Sequence, residues 1–110
     1  MSALDKRHKA RESVVAAGGH AYTLRRPTAA QLARLSDGSR LDMLRECVVG
    51  WDLRYLDLYP GGDPVPAIFT PELWSDWLDD TPDLWAPLGE ALLALIRAHH
   101  EAVEAAEKNS

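Results

Sequence analysis

Gly18-Gly19 separates two six-residue segments, Glu12 to Ala17 and His20 to Arg25. A Gly-Gly pair takes the two positive φ angles of a two-residue hairpin at no steric cost, so the spacing predicts two antiparallel strands. Counting outward from the turn sets Val15 against Tyr22 and Ser13 against Leu24 on one face, with Val14 against Thr23 on the other. A lone hairpin is marginal in water. Tyr22 and Leu24 must therefore be covered by helices from elsewhere in the chain. Pro27 ends the hairpin, because it has no N–H to give to a ladder.

The rest of the chain is punctuated as helices. Thr28 and Gln31 make a Thr-x-x-Gln capping box that opens a short helix through Leu32 and Leu35, stopped by Asp37-Gly38. Ser39, with Asp42 three residues on, opens a second one. Its stripe of Leu41, Leu44, Cys47, Val48 and Trp51 predicts a helix up to Gly50. Residues 52–69 lack a helical period. Leu56-Asp57-Leu58 alternates as a strand would, Pro60 to Pro64 makes a turn and Pro64-Val65-Pro66 an extended piece; loops of this length are often functional, but a buried connection held by Tyr55, Tyr59 and Phe69 is the expectation.

Thr70-Pro71-Glu72 and Thr81-Pro82-Asp83 are two copies of one helix-start device, a capping threonine, a proline at the first helical position and a carboxylate at the positive helix end. The first helix is expected to reach about Leu78. Pro87 is expected to kink or restart the second. The longest helix then runs from about Leu88 towards Glu107, roughly 30 Å long. Leu88, Leu92, Leu95, His99 and Val103 form its inward stripe, and Glu104 stands four residues before Lys108 as a favourable pair. The expected fold is mainly α, a small domain of about four helices with an N-terminal β-hairpin packed on it. Residues 1–11 read as a flexible basic start and 12–108 as one globular domain, with the hairpin at 12–26, two short helices at 28–51, the connection at 52–69 and the C-terminal helices at 70–108.

A chain of 110 residues, 46% hydrophobic, has the length of one ordinary domain with a small core. The apolar stretch between Glu90 and Arg97 encloses six residues, far short of a bilayer span, and no basic-then-apolar leader is present. The single cysteine, Cys47, excludes an internal disulfide and a cysteine-based zinc site, as expected of a reducing compartment. His99 and His100 point about 100° apart on a helix, and His100 with Glu104 lacks a third ligand. Asp76, Asp79, Asp80 and Asp83 read as helix-end charges rather than an acid–base pair or a calcium loop. Cys47 lies on an apolar stripe, and none of Ser13, Ser36, Ser39 and Ser75 sits in a nucleophile elbow. No catalytic residue, metal or cofactor is expected, and the chain does not read as an enzyme.

What remains is binding. The net charge of −5 divides unevenly: residues 1–40 carry eight Lys/Arg against three Asp/Glu, and residues 41–110 carry four against fourteen. Lys6, Arg7, Lys9 and Arg11 are the basic partner-binding candidates. Trp51, Trp74, Trp77 and Trp85 are the aromatic ones, since tryptophans left over by a small core anchor partners. A small nucleic-acid-binding regulator using the basic start is the alternative. A helix-turn-helix at 28–50 is disfavoured, because its recognition helix would be as acidic as basic.

As a whole the chain resembles the tail assembly chaperones of long-tailed, siphovirus-type bacteriophages and prophages. The resemblance spans most of residues 6–109. It is carried by a basic start, the Gly-Gly-His-x-Tyr-Thr hairpin (Gly18 to Thr23) with Arg25-Arg26-Pro27, Val-Val-Gly-Trp-Asp-Leu (Val48 to Leu53), Pro-Gly-Gly-Asp-Pro-Val-Pro (Pro60 to Pro66), Phe69 to Trp77, and Pro-Asp-Leu-Trp-x-Pro-Leu (Pro82 to Leu88) before a charged helix. It implies a non-enzymatic protein of the host bacterial cytoplasm that binds the tape measure protein, helps recruit the tail tube protein and is absent from the mature virion. It also implies a longer form of the same protein made by programmed ribosomal frameshifting. Glu107-Lys108-Asn109 is what GAA-AAA-AAC would encode, and that run contains a slippery heptamer. The implied partners are therefore the tape measure protein, the tail tube protein and the frameshift-extended form, and the charge split of the chain adds further copies of itself. The basic start and acidic body suit head-to-tail stacking of copies. No membrane is implied, and nucleic acid is not expected as a partner.

Overall fold

A computed structural model of the chain describes residues 1–109. The elements in order are α1 (Ala3–Ala10), β1 (Glu12–Ala17), β2 (His20–Arg25), α2 (Ala29–Leu35), α3 (Arg40–Cys47), β3 (Val48–Trp51), α4 (Tyr55–Leu58), α5 (Pro71–Asp80), a 3-10 turn (Pro82–Leu84) and α6 (Trp85–Lys108). The described residues thus form six α-helices and a three-stranded antiparallel sheet in the order β1-β2-β3, not four helices with a hairpin.

The hairpin has the register counted from its turn, with Val15 opposite Tyr22, Ser13 opposite Leu24 and Val14 opposite Thr23. Gly18 and Gly19 take φ of 58° and 82°, the left-handed values that a side chain disfavours. Both expected capping boxes form. The Thr28 and Ser39 hydroxyls accept from the N–H groups of Gln31 and Asp42, whose side chains accept from the cap N–H groups in return.

Four departures account for the difference in architecture. First, α3 stops at Cys47 and the chain continues as β3, pairing Tyr22 with Trp51 and Leu24 with Val48 around a bulge at Thr23/Leu24. The free edge of β2 supplies ladder partners to the β-branched pair Val48-Val49, which a further helical turn would not satisfy as well. Second, Leu56-Asp57-Leu58 is helical rather than extended. The Asp57 carboxylate accepts from the Arg54 N–H at 2.8 Å, which starts the single turn of α4. Third, the first residues form α1, closed by a reciprocal Ser2–Asp5 box and burying none of its residues. Fourth, Pro87 falls in the first turn of α6, where an N–H has no intrahelical partner, so the helix runs through it without a restart. The second Thr-Pro device is not used as expected. Thr81 makes no side-chain cap and leads into the 3-10 turn, whereas the Thr70 hydroxyl accepts from the Leu73 N–H at 3.1 Å.

One core joins sheet and helices. Tyr22 and Leu24 from β2 meet Leu44, Cys47 and Val48 from α3 and β3, Trp74 and Leu78 from α5, Leu84 from the 3-10 turn, and Leu88 and Leu92 from the first turns of α6. No polar or charged residue among those described is buried. The inward stripe of α6 leaves this core after Ile96. From Arg97 onward every described residue is exposed, His99 and Val103 included. The molecule measures 57 × 34 × 23 Å.

Candidate functional site

The tryptophans knit the domain together. Trp74 is fully buried, with ring centroids 5.6 Å from Tyr22, 6.4 Å from Trp51 and 6.3 Å from Phe69. Each indole N–H has an internal acceptor: Trp51 donates to the Ala67 carbonyl, Trp74 to Leu44, Trp77 to the Tyr22 hydroxyl and Trp85 to Leu78. Buried indoles need such acceptors. Trp74 has no surface to offer a partner, and Trp51, Trp77 and Trp85 show only their half-buried edges.

The basic candidates sit together on and just after α1. Lys6, Arg7 and Lys9 are exposed and make no ion pair among the described residues. Arg11 is tied into the fold instead, its Nε donating to the Arg26 carbonyl at 3.2 Å. Burial lowers its pKa, and the neighbouring guanidinium groups of Arg25, Arg26 and Arg7 lower it further.

No group of three or more His, Cys, Asp or Glu side chains among the described residues could hold a metal ion. Burial pushes the Cys47 thiol up to about 11, which keeps it protonated and inert. Asp79 is drawn into an Arg45 network that also holds Asp42 and Ser75, binding α3 to α5. No described helix is long and apolar enough to cross a membrane.

Two apolar surfaces stand out, neither found by inspecting motifs. The connection at 52–69, expected to be buried, exposes Leu56 (38%), Tyr59 (53%), Val65 (49%) and Ile68 (72%). Yet its backbone is firmly held. The N–H groups of Tyr55, Leu56 and Ala67 donate to the carbonyls of Val65, Asp63 and Leu53, and Arg54 bridges Pro66. Gly62 lies against the Tyr55 carbonyl so closely that a Cβ there would collide with it. Leu53 and Ala67 anchor the loop inward while its apolar tips face out. The sequence signal was the length of the connection itself, but side-chain direction depends on the turn of α4 and could not be read from alternation.

The second surface is a groove of about 510 Å³ between α2 and the outer half of α6, lined by Pro27, Leu32, Ile96 and Val103 with Arg26 and His99. Within α2 only Leu35 is buried, so the helix leaves this space unfilled. Desolvation and the nearby Arg26 and His100 hold the His99 imidazole below its ordinary pKa. No protein-family model matches the chain, and no curated protein or solved structure matches it either.

Proposed function

We propose that the chain is the short, unextended form of a phage tail assembly chaperone, binding the tape measure protein and helping to recruit tail tube subunits in the bacterial cytoplasm. The observation that carries this reading is the loop at 55–68, which presents four large apolar side chains from a hydrogen-bonded frame. A client that is long, helical and prone to aggregate needs an apolar partner surface, and a preorganised one loses little entropy on binding. The family resemblance of the sequence names the client. The surface suits holding rather than converting a partner.

Co-expression with the tape measure protein of the same genome tests this. The expected result is that the client stays soluble with the native chain and precipitates with a Tyr59→Ala/Ile68→Asp variant whose circular dichroism is unchanged. Client that precipitates equally with and without the native chain overturns the reading. A nucleic-acid-binding regulator is favoured by one observation only, the unpaired Lys6, Arg7 and Lys9 on one exposed helix. It requires DNA binding that weakens steeply with salt and disappears on deleting residues 1–11.

A further inference from the structure

Among the described residues nothing covers the outer half of α6, which forms one wall of an unfilled groove. Beyond Ile96 it carries Val103, 41% exposed, on the groove side, and Arg97 and Glu104 on an adjoining flank, with neither charge in an ion pair among the described residues. The groove itself bears Arg26, His99 and His100 and no carboxylate. The helix that forms its wall bears Glu101, Glu104 and Glu107. With Arg26 as its fixed charge and no carboxylate, the groove complements that helix in polarity and in charge, which two copies of the same chain can satisfy mutually.

We propose that the chain forms an isologous dimer in which the outer halves of two α6 helices pair antiparallel, each lying in the α2–α6 groove of the other copy. The register follows from the sequence. A two-fold axis between His99 and His100 sets Ile96 directly against Val103 of the second copy. It also places Arg97 and Glu104 of the second copy on the same side of the pair, within about 3 Å along the axis at 1.5 Å per residue. Residues seven apart lie almost on one line of a helix, so both pairings form together, and each occurs twice. With α2 from each copy, the interface is a four-helix layer that covers Leu32 and Val103. Such a dimer is closed. It differs from head-to-tail stacking of the basic start on the acidic body, which has no natural end.

Sedimentation velocity and light scattering of the full chain over a dilution series test the proposal. The expected result is a species that saturates at two copies. Val103→Glu, a change at an exposed position, should leave a monomer with unchanged helicity by circular dichroism. Arg97→Glu and Glu104→Arg should each raise the dimer Kd by roughly tenfold, since each sets two like-charge pairs face to face. The combined Arg97→Glu/Glu104→Arg variant should bind again about as tightly as the native chain, because the exchange recreates both pairs across the axis. A monomer at every concentration, growth past two copies, a dimer indifferent to Val103→Glu, or a combined variant no tighter than the single ones would each overturn it.

Discussion

The bond from the Trp77 indole N–H to the Tyr22 hydroxyl, 3.0 Å long, spans 55 residues of sequence and fastens the sheet to α5. Tyr22 is 1% exposed, so its hydroxyl cannot turn to water if the indole is removed. Trp77→Phe should therefore cost about 1–3 kcal/mol for the stranded hydroxyl and about 1 kcal/mol for the ring area lost from a half-buried side chain. Tyr22→Phe leaves behind an indole N–H that is only part-buried and can reach solvent, so it should cost about 1 kcal/mol. On the Tyr22→Phe background, Trp77→Phe should cost only the packing. The cycle then shows a coupling of about 1–3 kcal/mol. Urea unfolding followed by far-ultraviolet circular dichroism measures it without relying on the fluorescence of the altered residues, and equal slopes for the four proteins would confirm a common two-state reference. In thermal melts each kcal/mol corresponds to roughly 4–8 °C for a domain of this size. Effects that add to within about 0.5 kcal/mol would refute the argument that this bond couples hairpin and helix.

The same tyrosine yields a pH effect. Burial is the main cause that raises its pKa above the ordinary 10.0, with the Trp77 bond opposing it, so the folded state holds the proton more firmly than the unfolded chain. Its contribution to stability is complete below pH 10 and is lost as the pH climbs above that value; unfolding midpoints in alkaline buffers should show this fall, and Tyr22→Phe should flatten it. Gly62→Ala should destabilise by about 1–3 kcal/mol, because the added carbon meets backbone at Tyr55 rather than a movable side chain. Gly19→Ala, with open space around it and strain only in its positive φ, should cost about 1–2 kcal/mol, and thermal melts of the two variants compare them. With its thiol at about 11, Cys47 is roughly one-thousandth ionised at pH 8 even before burial blocks access. Maleimide labelling should be slow in the native chain and fast in urea, and rapid native labelling would show that α3 opens readily.

Several local devices were legible in the residues, although the Ser2–Asp5 box of α1 and the Arg54–Asp57 bond of α4 were not. The Gly18-Gly19 turn, the Thr28–Gln31 and Ser39–Asp42 boxes and the Thr70 cap each involve groups within three residues of one another, and all form as read. Val48 to Trp51 forms a strand where the residues predict a helix, because the competing choices lie far apart in sequence. The apolar stripe that suits a helix face also buries well in a strand, and the vacant edge of β2, some 25 residues earlier, tipped the balance. Pro87 departs from expectation for a related reason. A proline breaks a helix interior but fits a first turn, and where the turn began depended on the uncapped Thr81.

The interaction surfaces were less legible than the fold, and the tryptophans show why. Four large aromatic residues in a small domain can equally well build a core or face a partner, and composition cannot separate the two. Geometry can, since each indole N–H has found an acceptor inside the chain. Surface apolar character passed to smaller and less conspicuous residues, Leu56, Val65 and Ile68 on the held loop and Ile96 and Val103 on α6. Along α6 the heptad that joins Ile96 to Val103 continues the stripe of Leu88 and Leu92, so the sequence alone extends the core to the helix end. The core ends earlier because the sheet and α5 cover only the first half of the helix. What lies beyond is a stripe patterned for burial with nothing among the described residues to bury it, and a second copy is the one partner guaranteed to carry the matching pattern.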